Sequence, residues 1–504
     1  MTSSQIKYIL EHSEAKICFV STQLIADKVK AVSNELPDLQ HIISFNKIED
    51  PSGKVLLFEN LIYESVISNK ESYDEGKADK YFTECAARIN SEDLLTIIYT
   101  SGTTGTPKGI CLSHKNILSN VEACGRAFEV TSSDRFLSFL PLAHSYERTT
   151  GYYFALSSGA EIYYAKNIDT LQTQLAEVKP TLFTSVPLLY NRIYSRLMKN
   201  LRSLPAHKQV IAKWAFGAAR KYRQRKDSYF WKLADKLVFK KIRERTGGKF
   251  RIIISGGSAL NRSIAEFFDG IGITIFEGYG LTETSPVISV NRIGRNKFGT
   301  VGIPLDGVNV KIAEDGEILV KGDSVMMGYY KNEEETNKTI IDGWLHTGDI
   351  GEIDSEGFLK ITDRKKSLIK TEGGKYISLT HVEETLTTSD YIDQVSAFAA
   401  DDKPFVSALI VPNFDELKSF ADAKSIPFHD ESELTQNAEI TKLIETEINR
   451  VQANHAKYER VRKFTLLTAP FTIEGGELTP SLKIKRRVIE EKYKDAINKM
   501  YAVN

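Results

Sequence analysis

Apolar positions recur along this chain with two periods. Residues 3–12 and 22–35 carry them at helical spacing, the first run capped by Ser3 or Ser4, and each is followed by a short apolar run, Lys16–Val20 and His41–Phe45. This alternation predicts a parallel α/β sheet. Residues 46–93 are charged and weakly patterned, which predicts a connection with a short helix. The apolar run Leu94–Ile98 then predicts a buried strand, Ile110–Leu112 another, and Ser113 caps a helix to about Phe128. Further strands are expected at Phe250–Ile254 and Ile273–Phe276. Beyond them VNVKIA, GEILVKG and MMGYY predict a small β subdomain. The last third mixes strands (VSAFAA, SALIVP) with a helix over about 438–458.

Between the first two buried strands the pattern breaks. Tyr99–Gly109 reads YTSGTTGTPKG, and from Ser101 to Pro107 no side chain is large enough to build a core. Exposed backbone N–H groups, hydroxyls and one cation, Lys108, are the equipment for wrapping a polyphosphate. Taken alone, a flexible Gly/Thr surface loop is the competing reading. Pro107 breaks the G-x-x-x-x-G-K-[ST] pattern, and G-x-G-x-x-G is absent, so two common nucleotide motifs are excluded.

Two more stretches carry candidate chemistry. Ser255-Gly256-Gly257-Ser258 places small residues at the end of a strand, where an α/β sheet forms its ligand crevice. Glu277-Gly278-Tyr279-Gly280-Leu281-Thr282-Glu283 offers a flat ring for a base, glycines for close backbone approach, a hydroxyl donor and a hard carboxylate suited to Mg²⁺. Without its Thr-Glu, the GYG would read as an ordinary turn.

Together these segments resemble the signature motifs of the adenylate-forming (ANL) superfamily, which includes acyl-CoA synthetases, luciferase-like enzymes and peptide-synthetase adenylation domains. The resemblance spans the chain, with its motifs in family order. IDGWLHTGDIGEIDSEGFLKITDRKK (341–366) is similar to the signature of fatty-acyl-CoA synthetases in particular. It implies a large N-terminal domain over 1–365, with parallel and mixed sheets layered with helices plus a β subdomain, and a small mobile α+β lid over 366–504, hinged at Lys366. It also implies that the chain begins about a hundred residues inside the usual N-terminal domain, leaving a sheet edge or core face uncovered.

The roles follow the motifs. Thr100, Ser101, Gly102, Thr103, Thr104, Gly105, Thr106 and Lys108 would cradle ATP phosphates. Gly256, Gly257, Ser258, Glu277, Gly278, Tyr279 and Gly280 would line the adenylate site. Thr282 would donate to the α-phosphate, and Thr100 and Glu283 would hold Mg²⁺. Asp349 would accept from both ribose hydroxyls, with Arg364 as a second ribose contact. Lys483 would be the adenylation lysine, and Gly373 and Gly374 would approach the site when the lid turns for CoA. His144, in the motif Pro141–Arg148, would lie near the acyl tunnel; alone it reads as a hydrogen-bonded structural histidine. The chain departs from the family pattern at Leu188, Leu379 and Leu482, where Arg, Pro and Gly are common; Leu482 is shared with long-chain members.

The implied activity is ATP-dependent conversion of a long-chain fatty acid to acyl-AMP, then transfer to CoA. Transfer to a carrier-protein phosphopantetheine is the nearest alternative, and a truncated ligand-binding remnant without turnover is another.

Composition narrows the partners. Lys and Arg balance Asp and Glu at 66 each, so nothing in the overall charge favours nucleic acid. Four cysteines without C-x-x-C predict neither a disulfide framework nor a zinc site, which suits a reducing cytosol. No apolar run has a membrane-span length, and the N-terminus lacks a signal-peptide pattern. One segment departs from neutrality. Residues 208–245 hold thirteen Lys or Arg against Asp227, Asp235 and Glu244, with aromatic residues interleaved. An amphipathic helical pair with a solvated basic face is the plain reading; peripheral contact with an anionic membrane is the sharper one.

Overall fold

The computed structural model describes residues 2–68, 75–101, 107–167, 170–365, 368–370, 376–399, 405–472, 474–478 and 484–502. The chain divides into two compact units, one of residues 1–118 and 324–340, the other of 119–323 and 341–504.

In the first unit the alternating opening folds as expected except at its first cap, which is Thr2 and not Ser3 or Ser4. Helices Ser3–His12 and Gln23–Ser33 are capped by Thr2 and Thr22, one residue ahead of each helix, and the first cap is a reciprocal box with Gln5. Strands Ile17–Val20, His41–Ser44 and Val55–Leu57 form a parallel three-stranded sheet. The helices bury one side of it through Ile6, Ala26, Val29 and Val32. The rings of Phe19, Phe45 and Phe58 pack on one another, with Phe19 and Phe45 exposed. The expectation for 46–93 is corrected: this stretch supplies a sheet strand and two helices, Phe58–Ser68 and Glu75–Ala86.

Strand Leu94–Ser101 pairs antiparallel with Pro107–Ser113, up to Ser101 opposite Pro107. The first of these is less buried than its apolar run predicts, since Leu94 is exposed and Ile98 alone is well buried. Gly328–Tyr329 adds to the other edge, on Ile110 and Cys111. The MMGYY segment therefore belongs to this sheet and not to the β subdomain. A strand's sequence specifies its two faces but not its neighbour.

The second unit is built on a seven-stranded sheet. Its order along the sheet is Ile303–Pro304, Val287–Val290, Phe276–Gly280, Ile252–Ser255, Leu182–Ser185, Arg135–Ser138 and Glu161–Tyr164. The last five run parallel; Val287–Val290 is antiparallel to Phe276–Gly280, and Ile303–Pro304 is antiparallel to Val287–Val290 in turn. From Arg135–Ser138, next to last in the sheet, the chain goes first to the outer neighbour and then returns to the inner one, making a topological switch point beside Ser138 and Ser185. Helices Pro187–Arg202, Ala206–Lys221 and Arg262–Gly270 contribute to the core through Leu189, Ala215, Ala219, Ala265 and Phe268. Burying a ring such as Phe268 contributes about 2–3 kcal/mol.

An antiparallel β region follows, with Asn309–Ile312 on Glu317–Lys321, this on Trp344–Ile353, and Leu359–Arg364 on the far side of that strand. The C-terminal part has its own core. Strand Val406–Pro412 lies between Ile392–Phe398 and Val461–Leu466, packed by helices Phe414–Lys424 and Ala438–Val451. That last helix stops short of 458. This part is clasped to helix Pro187–Arg202 by Lys199–Asp415 at 2.6 Å and by Arg202 with Asp390 at 2.8 Å and Glu416 at 2.5 Å.

Candidate active site

In the second unit the residues expected to line a nucleotide site gather at the C-terminal ends of the parallel strands. Gly256 follows Ser255, donates its N–H to Ser185 O at 3.0 Å, and faces Tyr146; a Cβ there would lie 3.1 Å from the ring. Gly257 has φ +87°, a conformation glycine adopts without strain. Glu277-Gly278-Tyr279-Gly280 is a strand, so the turn reading of GYG is excluded. The strand shifts register at Tyr279/Gly280, and a Cβ on Gly280 would collide with the Pro286 carbonyl. Thr282–Thr284 forms one tight helical turn. The Thr282 hydroxyl is 3.1 Å from Ser145 Oγ, next to His144.

Asp349 is the centre of this arrangement. It is buried on Trp344–Ile353, directly opposite Arg364 in register. Its Oδ2 accepts the Tyr279 hydroxyl at 2.6 Å, and its Oδ1 accepts Arg364 Nε at 2.9 Å. Three sequence-selected residues, far apart in the chain, thus form one network. A carboxylate has about four acceptor directions, so about two remain for further donors. Burial, then the Asp349 charge, holds the Tyr279 phenol well above its usual range, so Tyr279 stays a donor.

Two other acids sit here in a different condition. Glu277 Oε2 accepts Leu260 N–H at 3.3 Å, while Oε1 is buried with no hydrogen-bond partner among the described residues; burial pushes the carboxyl up to about 7, against the backbone N–H groups of Leu260 and Gly299. Glu147, which the sequence reading did not single out, lies in a π-helical turn at the switch point. Thr184 donates to its Oε2 at 2.7 Å, Oε1 has no hydrogen-bond partner among the described residues, and burial raises the group to about 7 against the hydroxyls of Ser138 and Thr184. Gly151 leaves the space that this carboxyl fills. The signal for it is an acid one residue, Arg148, ahead of the small and aromatic run TTGYYFA. Tyr146 beside it donates to Ile254 O at 3.3 Å. His144 Nδ1 accepts Tyr146 N–H at 3.3 Å, the structural role open to it on sequence alone.

In the first unit Thr100 lies opposite Lys108. The Lys108 ammonium pairs with Glu335 and stands 5.0 Å from the centre of the Tyr329 ring, partners not foreseen from sequence. Tyr99 shares a 2.8 Å hydrogen bond with His12 Nδ1. The side chain of Ser101 and residues Gly102, Thr103, Thr104, Gly105 and Thr106 lie outside the described residues, as do Lys366, Gly373, Gly374 and Lys483. Ser258 is exposed and Gly278 packs on Val290.

Glu283 presents a single carboxylate on its turn. That suits Mg²⁺, which takes one or two carboxylates together with phosphate oxygens, and it needs no acid cluster. Among the described residues no group of three His, Cys, Asp or Glu could hold a metal ion.

Comparison with known proteins agrees with this fold. The AMP-binding enzyme family model matches residues 1–330, and the AMP-binding enzyme C-terminal domain model matches 366–504. The chain is 33% identical to long-chain-fatty-acid–CoA ligase FadD15 of Mycobacterium bovis, covering 99% of this chain and 82% of that protein. It is 37% identical to the peroxisomal long chain acyl-CoA synthetase 7 of Arabidopsis thaliana, covering 99% and 72%. Among solved structures, the anthranilate CoA ligase AuaEII with anthranoyl-AMP superposes with a TM-score of 0.71 at 21% identity, covering 99% of this chain and 82% of that one. The adenylation domain of a Segniliparus rugosus carboxylic acid reductase, in complex with AMP and a co-purified carboxylic acid, gives 0.70 at 20%, covering 99% and 77%. The buried Asp349 network, at a sheet of this topology, is thus carried by an adenylate-forming ligase: the chain belongs to the AMP-binding (ANL) superfamily, with the acyl-CoA synthetases among its relatives.

Proposed function

We propose that this enzyme activates a long-chain fatty acid and transfers it to CoA. In the first half-reaction a carboxylate oxygen of the acid attacks the α-phosphorus of ATP, forming acyl-AMP and expelling pyrophosphate. Both reactants are anions, so neutralisation and in-line placement supply most of the catalysis. Asp349 accepts the ribose hydroxyls through its open acceptor directions, Arg364 adds a second ribose contact, and Tyr279 offers its ring to adenine. Thr282 donates to the α-phosphate. Thr100 to Lys108 hold the β- and γ-phosphates, and Lys483 bridges the carboxylate and the α-phosphate. Thr100 and Glu283 would hold Mg²⁺, which supplies further neutralisation of phosphate charge. In the second half-reaction the C-terminal domain turns about Lys366, withdrawing Lys483 and bringing Gly373-Gly374 in. The CoA thiolate then attacks the acyl carbonyl and AMP leaves.

The observation that carries this reading is Asp349, a buried acid already engaged by Tyr279 and Arg364 with acceptor capacity left over. The long-chain acid and CoA rest on the names of relatives near one-third identity. ATP–pyrophosphate exchange with palmitate tests the first half-reaction, and formation of ADP instead of AMP overturns it. Lys483→Ala is expected to abolish exchange yet spare thioester formation from supplied acyl-AMP. Equal loss in both would remove Lys483 from its role.

A further inference from the structure

The basic segment is the feature that the proposed chemistry leaves unused. Helix Ala206–Lys221 turns into helix Tyr229–Ala234, which continues through a π-helical turn into Lys240–Glu244. One side packs inward through Ala212, Ala215, Ala219, Ala234 and Phe239, and Trp231 Nε1 donates to Gly270 O at 2.8 Å.

The inward cations are matched. Arg223 pairs with Glu266 at 3.1 Å, Lys226 with Asp269 at 2.9 Å, and Arg243 with Asp235 at 2.6 Å. The outward cations are not: Lys213, Arg220, Lys221, Arg225, Lys232 and Lys236 form no ion pair among the described residues. Apolar residues stand among them without cover. Val210 is 67% exposed, Tyr229 74% and Phe230 50%, with Trp214 and Leu237 also exposed. Helical spacing places Val210, Trp214, Gly217 and Lys221 on one face, opposite the buried alanines and flanked by Lys213 and Arg220. Tyr222 stacks on Phe230 at 5.9 Å and Lys221 lies 5.4 Å from the Tyr222 ring, tying the two helices into one surface.

We propose that this face of residues 206–241 docks on an anionic lipid bilayer, its apolar side chains entering the interface and its cations meeting headgroup phosphates. A merely solvated basic face would not set aliphatic and aromatic side chains among its charges. Interfacial amphipathic helices carry this combination. A nucleic acid would satisfy the cations and stack on the rings, yet it gives Val210 and Leu237 no partner. The proposal concerns where the protein sits and stands independently of the substrate assignment.

The test is co-sedimentation of the full chain with vesicles of phosphatidylcholine alone and of equimolar phosphatidylcholine and phosphatidylglycerol, at about 20 mM and about 500 mM ionic strength. Binding is expected on the anionic vesicles at low salt, at least about tenfold weaker at high salt or on neutral vesicles, with a blue shift of Trp214 emission. Val210→Ser with Tyr229→Ser, and separately Lys213→Glu with Lys232→Glu, should each weaken binding about tenfold at an unchanged melting temperature. The two pairs probe different interactions, so misfolding of one leaves the other decisive. No binding by the parent chain, equal binding to neutral vesicles, undiminished binding by both variants, or retention on a single-stranded oligonucleotide but not on vesicles each overturns the proposal.

Discussion

Asp349 and Glu277 are both buried in the same unit, and both lie close to Tyr279: Glu277 two residues before it on the strand, Asp349 across a hydrogen bond. Their circumstances are opposite. Asp349 has a donor on each oxygen, one of them a guanidinium. Glu277 is offered only backbone N–H groups, those of Leu260 and Gly299, and burial moves it up to about 7. Burial therefore does not decide what an acid can do here; the donors aimed at it do. Asp349 is built to accept hydrogen bonds, whereas burial keeps protons on Glu277 and Glu147 at mildly acidic pH.

The strongest way to break the contrast is Asp349→Ala. It strands the Tyr279 hydroxyl and frees Arg364, and adenylation measured by pyrophosphate exchange is expected to fall about a thousandfold, or about 4 kcal/mol. A loss under tenfold would place Asp349 outside the nucleotide site.

Next comes pH. Glu277 moves from an ordinary 4.5 to about 7 in the folded chain, so the folded state binds the extra proton between those values. Its contribution to stability is complete below about pH 4.5, declines as pH rises, and is gone above about pH 7. Glu277→Gln should remove up to about 3 kcal/mol of that decline, read from urea unfolding at pH 5 and pH 8. An unchanged difference between the two pH values would show that Glu277 ionises normally. Glu147→Gln should remove a similar share, since it shows the same shift from the same cause.

Arg364 is more than half exposed, so its pairing with Asp349 is partly screened. Arg364→Ala should raise the KM for ATP about tenfold with little change in melting temperature. A collapse of stability instead would make the pair structural. The smallest effect is expected from Tyr279→Phe, which deletes one donor to Asp349 and should cost about 1 kcal/mol in unfolding.

Much of this site was legible before folding. The glycines, Tyr279, Thr282, Asp349 and Arg364 stand in contiguous motifs, and the structure brings Tyr279, Asp349 and Arg364 into hydrogen-bonding contact. Glu147 was not legible, because a single acid in a helical run looks like a surface charge until the strands around it close. Nor was the Lys108–Glu335 pair, whose members lie more than two hundred residues apart. MMGYY pairs outside the β subdomain for a related reason: the pattern of a strand encodes burial, whereas its pairing partner depends on backbone groups that carry no sequence signal.

The sequence by itself determined the family, the order of its elements, the small residues at the strand ends and the basic segment. The family rests on contiguous motifs that resemble its signatures; the others are local properties of composition or spacing. Only the tertiary structure decided which acids are matched and which are left with an orphan oxygen, and which cations of 206–245 turn inward to Glu266, Asp269 and Asp235. The reason is physical. A charge acquires its meaning from the dielectric and the donors within a few ångströms, and those neighbours are assembled from distant parts of the chain.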